Sequence, residues 1–395
     1  MTNRRDFIKQ SSLAAGALWI PNFLKPFEKF APEEYRNLVI IQLSGGNDGL
    51  NTLIPFDNDI YYNSRPGISI TKDKILKLNS GLGFHPAMAG LQGLYNDGLM
   101  CIINNVGYPN PSRSHFRSMD IWQTASDADQ YKSTGWLGRY LDSSCSECNN
   151  PYLALELDQT LSLALKGDSK KGIAVNNPQQ LYNQTREPFF KELKDLESSH
   201  EHDNAAYLYK TVAETYASAE YIFETSKIYK NSFEYPKNNL AKQLKEIASF
   251  IGSGLKTRVY YASLGGFDTH AGQLNRQENL LKQFSESTTA FIQNLKSIDK
   301  LNDTLVMVFS EFGRRVSQNA SGGTDHGTAN NVFILGSKLK KQGMYNDMPD
   351  LKNLDEGDLK YQIDFRNIYA SLLSKWLKAD SSKILGADFE YLNFI

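Results

Sequence analysis

Leu38-Val39-Ile40-Ile41-Gln42-Leu43 runs straight into Ser44-Gly45-Gly46-Asn47-Asp48-Gly49, and this stretch decides the fold. A nearly continuous apolar run, in place of an alternating one, belongs to a strand covered on both faces, as in parallel sheets flanked by helices. The run then stops on a carboxylate. Two later stretches repeat the pattern. Val259-Tyr260-Tyr261-Ala262 leads into Gly265-Gly266-Phe267-Asp268-Thr269-His270, and Thr304-Leu305-Val306-Met307-Val308-Phe309 leads into Ser310-Glu311-Phe312-Gly313-Arg314. A fourth cluster, Gly323-Thr324-Asp325-His326-Gly327, follows. Ligands collect at the carboxyl ends of parallel strands. Acids and histidines delivered there from distant segments are what a metal site on an α/β sheet looks like.

Working outward, the spacing predicts an α/β sandwich of three layers, with a mainly parallel central sheet and helices on both faces. A helical pattern over His85–Tyr95 lies between the strand at 38–43 and another buried-type strand at Leu99–Ile103, forming one βαβ unit. Trp136–Leu141 reads as a helix and Tyr152–Leu157 as a strand. Residues from about 186 to 250 are charged and helical in spacing, and are expected to form a helical insertion or cap. Within it, His200 and His202 form a His-x-His run that reads either as a solvated loop or as metal-binding. After Val259 the alternation resumes, with a helix near Leu280–Leu295, strands at 304–309 and 332–335, and a closing helix over Phe365–Leu377. No internal repeat is visible.

The first residues carry a different message. Arg4-Arg5 precedes Phe7-Ile8 and the short apolar stretch Leu13–Ile20, which is the pattern of a twin-arginine export signal. That stretch is too short and too rich in Gly and Ala to be a spanning helix. Residues 1–35 are therefore expected to be signal and linker, and 36–395 the α/β domain, periplasmic or extracellular. The twin-arginine translocase is then a partner during export, and membrane contact is expected only through a signal left uncleaved. With 43 basic and 44 acidic residues the net charge is −1, so there is no electrostatic case for nucleic acid. The 21 Tyr and 21 Phe suit a filled core or a carbohydrate-contacting surface. Cys145 and Cys148 read as a local disulfide, half a metal site, or a plain loop with two thiols.

Several of these residues can do chemistry. Gly45-Gly46 lets Asp48 face a ligand closely, or else builds a tight loop with an Asx turn. Asp268 and His270, two apart on an extended segment, can point to one side and chelate one ion, and His326 beside Asp325 can complete its coordination. Glu311 emerges from a buried strand, which is costly unless it is paired or metal-bound. Asn110-Pro111-Ser112-Arg113-Ser114-His115-Phe116 opens a helical pattern. A serine there is either a simple N-cap or a nucleophile attacking phosphorus or sulfur where free backbone N–H groups bind oxyanions. His115 is beside it, and Arg113 offers charge to an anion.

Taken together, the motifs resemble one exported bacterial family. Arg4-Arg5, Leu43–Thr52, Ser114-His115-Phe116, Thr134–Arg139, Gly266–His270, Ser310–Arg314 and Asp325-His326-Gly327 look like the family called domain of unknown function 1501. That family in turn resembles the alkaline phosphatase and arylsulfatase superfamily in fold. The resemblance implies that Asp268, His270 and His326 hold one divalent ion, and that Asp48, Glu311 and a nucleophile near Ser112–Ser114 hold another. In the superfamily the third strand usually ends on Asp-His, whereas here it ends on Glu311-Phe312. An oxygen-rich second site favours Mg, Mn or Ca over Zn. The implied activity is hydrolysis of a small-molecule or glycan phosphate or sulfate ester, with Ser114 or Ser112 as nucleophile and Arg113 or Arg314 stabilising charge. The alternatives are a non-catalytic glycan-binding protein that keeps the fold and at most one metal, and an envelope assembly factor.

Overall fold

The computed structural model describes residues 35–78, 81–144, 151–188 and 203–395. The twin-arginine stretch, Cys145 and Cys148, and His200 and His202 lie outside the described residues. In chain order, β1 (Asn37–Leu43) is followed by a small antiparallel sheet of β2 (Leu53–Ile54), β3 (Leu76–Lys77) and β4 (Gly83–Phe84). Then come β5 (Met100–Gly107), β6 (Ala154–Glu156), β7 (Ile173–Ala174), β8 (Val259–Leu264), β9 (Thr304–Phe309), β10 (Asn330–Leu335) and β11 (Gly343–Met344). A hairpin of β12 (Leu354–Asp355) and β13 (Asp358–Leu359) precedes β14 (Ile363–Asp364).

β1 is buried along its whole length because it lies inside the sheet ordered β11-β5-β10-β9-β1-β8-β6-β7, where β14 also pairs with β5. Its neighbours β8 and β9 run parallel to it, with Ile40 opposite both Tyr261 and Met307. β6 and β7 continue in parallel beyond β8. β10 is antiparallel to both β9 and β5. Two reversals cancel, so the carboxyl ends of β5, β9, β1, β8, β6 and β7 share one edge. The expected βαβ unit is looser than its pattern: β1 and β5 point the same way, but β9 and β10 lie between them. Strand neighbours are chosen by long-range pairing, which local apolar spacing does not encode.

Helices cover both faces. Leu38 and Ile40 pack with Tyr261, Met307 and Ile334 beneath the helices His115–Thr124, Trp136–Ser144 and Phe365–Ser371. There Trp122 stacks between Phe309 (4.8 Å) and Phe365 (4.4 Å), and Trp136 stacks on Tyr369 (4.0 Å). On the opposite face, Phe250 of the helix Asn239–Gly252 stacks over Tyr260, and Phe284 of the helix Gln273–Ser297 meets Phe333. Within the stretch expected as a helical insertion, helices occupy Asp203–Ser226 and Asn239–Gly252. No described helix is long and apolar enough to cross a membrane.

Candidate metal centre

Five segments meet at the shared carboxyl edge. After β1, Gly45 and Gly46 adopt φ of 116° and 72°, the region that favours glycine. A Cβ on Gly45 would stand 2.5 Å from the Asp268 nitrogen, and one on Gly46 2.2 Å from the Phe312 ring. These two glycines let the loop after β1 lie directly on the loops after β8 and β9. Gly45 N–H donates to Glu311 Oε1 at 2.8 Å, and Asn47 N–H to Ser310 Oγ at 2.9 Å. Below them Arg314, fully buried, donates to the carbonyls of Gly46 (2.6 Å), Thr324 (2.8 Å) and Phe267 (3.1 Å), and to Asp268 Oδ1 (2.8 Å). All three of its nitrogens are thus engaged within the chain. Arg314 ties three loops together, and it bears on the site by fixing Asp268.

Around Asp268 Oδ1 the imidazoles converge. His270 Nε2 lies 3.1 Å away, His326 Nε2 3.2 Å and His115 Nε2 3.5 Å. His270 Nε2 and His326 Nε2 are only 2.9 Å apart. The far nitrogen of each ring has an acceptor: His115 Nδ1 meets Glu311 Oε1 at 3.0 Å, His270 Nδ1 meets Asp325 Oδ1 at 3.3 Å, and His326 Nδ1 meets the Arg113 carbonyl at 2.7 Å. Those partners place the proton of each neutral ring on Nδ1, so each Nε2 presents a lone pair. Three lone pairs facing a carboxylate oxygen repel one another unless positive charge sits among them. His115 Nε2 is moreover buried without a hydrogen-bond partner. Phe312 backs the rings of His115 (4.9 Å) and His326 (4.7 Å), holding their planes.

Electrostatics follow the same geometry. The hydrogen bond to Glu311 raises His115 above the ordinary histidine value, while burial lowers His326. The two rings lie 4.4 Å apart and cannot both charge easily. Burial opposes ionisation of Asp268, but the hydrogen bond and positive charge of Arg314 outweigh it and hold its carboxyl at about 2. The Asn319 amide lowers Asp325. With His115, Asp268 and His326 offering donors within 4.8 Å of one another, the set fits a divalent cation held by nitrogen and oxygen.

Not every expected residue joins this cluster. Asp48 is buried beneath it: Oδ1 accepts from the N–H groups of Leu50 (3.1 Å) and Asn51 (3.3 Å), and Oδ2 is paired with Arg65 at 2.6 Å and with the Gln273 amide. Its oxygens are filled by the chain, whereas Glu311 reaches the site edge through His115 Nδ1. The Arg113 guanidinium pairs with buried Asp358, while its carbonyl orients His326. Ser114 is the N-cap of the helix His115–Thr124 but makes no side-chain capping bond, and Ser112 Oγ accepts from Ser114 N–H at 3.2 Å. Arg65 and Gln273 escaped the sequence reading. Neither follows a strand, and their only signal was the need of a buried Asp48 for partners.

The chain belongs to the family described as "Protein of unknown function (DUF1501)", whose model matches residues 35–377. No curated protein matches the sequence. Among solved structures, it is similar to a protein in the alkaline phosphatase superfamily from Vibrio parahaemolyticus, at 10% identity over 91% of this chain and 70% of that one, with a TM-score of 0.43. It is also similar to the C-terminal periplasmic domain of EcEptC from Escherichia coli in complex with Zn, at 10% identity over 78% of this chain and 74% of that one, TM-score 0.39. A third similarity is to the PsFucS1 sulfatase from Pseudoalteromonas sp., at 12% identity over 94% and 72%, TM-score 0.34.

Proposed function

We propose that the chain is an exported, divalent-metal-dependent hydrolase of phosphate or sulfate esters. The observation that carries the reading is that Glu311, Asp325 and the Arg113 carbonyl turn three imidazoles so that every Nε2 faces Asp268 Oδ1. His115, His270, His326 and Asp268 would hold the ion, and three imidazoles with one carboxylate suit zinc better than Mg, Mn or Ca. When bound, it would supply Lewis-acid stabilisation to the anionic group of the ester. Ser114 is the proposed nucleophile and Ser112 its rival, because the Ser112 hydroxyl is already engaged with Ser114 N–H. The Ser114 oxygen would bond to phosphorus or sulfur as the substrate's alcohol leaves, and water would then hydrolyse the enzyme ester. Among the described residues Arg113 Nη1 has no hydrogen-bond partner and is left for the anion, since Nε and Nη2 pair with Asp358. The Arg4-Arg5 pattern supports twin-arginine export to the periplasm or beyond.

One observation favours a second reading, a non-catalytic binding protein with one metal: the filled carboxylate of Asp48 removes a ligand from the second site. Metal analysis of the purified protein, with turnover of an aryl phosphate and an aryl sulfate, tests both. About one bound equivalent with turnover supports the hydrolase. Metal without turnover supports the binding protein, and a protein that takes up no divalent metal overturns both.

A further inference from the structure

Beyond the metal centre, the same edge of the sheet carries a cleft of a different chemistry. β6 and β7 run parallel to β8, so their carboxyl ends open where the loop bearing Asp268 and His270 opens. Asp158 and Gln159 follow β6, Asn176 and Asn177 follow β7, and Gln180 and Gln184 come from the helix Pro178–Thr185. These six line a cleft of about 320 Å³, at the low end of the range that small-molecule sites occupy. Asn177 Oδ1 caps that helix by accepting from Gln180 N–H at 3.0 Å. Among the described residues, the side-chain amides of Gln159, Asn176, Gln180 and Gln184 have no hydrogen-bond partner within the chain. Each can donate twice and accept twice.

We infer that this cleft binds a neutral, hydroxyl-rich segment of substrate, a glycan, whose esterified end lies at the metal centre. Uncharged amides match hydroxyls, which both donate and accept, and no Lys, Arg or aromatic ring lines the cleft to select an anion or a flat ring. Strands lie ~4.8 Å apart in the pairing direction, so β7 stands roughly 10 Å from β8, a span suited to an oligomer and too long for a small monoester. The role of the esterified end rests on the hydrolase reading, but occupancy of the cleft does not.

The test measures binding on an array of neutral, sulfated and phosphorylated oligosaccharides, followed by titration calorimetry of the best neutral binder. The proteins are the wild type, the double variant Gln180→Ala/Gln184→Ala, and His270→Ala. Both glutamines are exposed helix positions, so folding is expected to survive and is checked by the melting temperature. Expected is binding by the wild type and His270→Ala alike, weakened at least tenfold in the double variant. Failure of every oligosaccharide to bind the wild type, or full binding by the double variant, overturns the inference. Glycan binding with no ester turnover leaves the cleft standing and removes the hydrolase reading.

Discussion

Replacing Glu311 with Gln tests whether the imidazoles are set up to hold a cation. Glu311 is buried and contacts only His115, Gly45 N–H and Ser310 among the bonds that shape the site. The substituted amide retains an acceptor oxygen for Gly45 but no longer offers a charge to His115 Nδ1–H. Loss of such an outer-shell partner typically costs about 10- to 100-fold in metal affinity. An ion present at a hundred times its Kd adds ~2.7 kcal/mol of stability by mass action. With an unfolding entropy of about 2.1 cal/mol/K per residue over roughly 360 residues, that is a rise in Tm of about 4 °C. At the same ion concentration the variant should keep only ~0.4 to ~1.4 kcal/mol, or a rise of about 2 °C or less. Calorimetry is run on each protein with chelator and again with excess Zn, Mn, Mg or Ca singly. The quantity compared is the difference within each protein, which cancels any direct effect of the substitution on the fold. A wild type whose Tm is the same with chelator and with every ion refutes the metal centre. A Glu311→Gln protein with the full wild-type rise refutes the role given to Glu311.

Further outcomes follow from particular contacts. Arg65→Ala leaves Asp48 as an uncompensated buried charge and should cost about 3–5 kcal/mol in urea unfolding, part of it recovered in Arg65→Ala/Asp48→Asn; an Arg65→Ala protein as stable as wild type would contradict the buried pair. Burial lowers the His85 imidazole to about 4 from 6.5, so its neutral form stabilises the fold fully above pH 6.5. That stability is lost as pH falls towards 4, by up to about 3 kcal/mol. His85→Gln should flatten this limb of the stability–pH curve, and an unchanged limb would clear His85 of the role. Ser114→Ala should remove most aryl-ester turnover while leaving metal content intact; loss only in Ser112→Ala would move the nucleophile, and loss in neither single nor double variant would point to attack by water.

Much of the architecture was legible in the sequence. The apolar runs at 38–43, 259–262 and 304–309 could be satisfied only by cover on both faces, and β1, β8 and β9 are indeed the centre of the parallel sheet. Because each run ends on a turn rich in Gly and polar groups, the convergence of acids and imidazoles at their carboxyl ends was legible as well. What the residues do there was less so. Arg314 reads in sequence as a cation beside an acid, yet its donors are consumed by Gly46, Thr324, Phe267 and Asp268. Asp48 reads as a ligand, yet Arg65 and Gln273 fill its oxygens.

The sequence by itself determined a doubly covered sheet and the acids and imidazoles at its edge, because burial periodicity and strand-end chemistry are local properties of the chain. Which nitrogen of each imidazole faces inward, whether a carboxylate meets an arginine or an open edge, and that amides from β6, β7 and the following helix share one cleft were decided only by tertiary structure. Each depends on a partner far away in the chain, as His115 depends on Glu311 and His326 on the carbonyl of Arg113, and no local pattern records which distant atom will arrive within hydrogen-bonding distance.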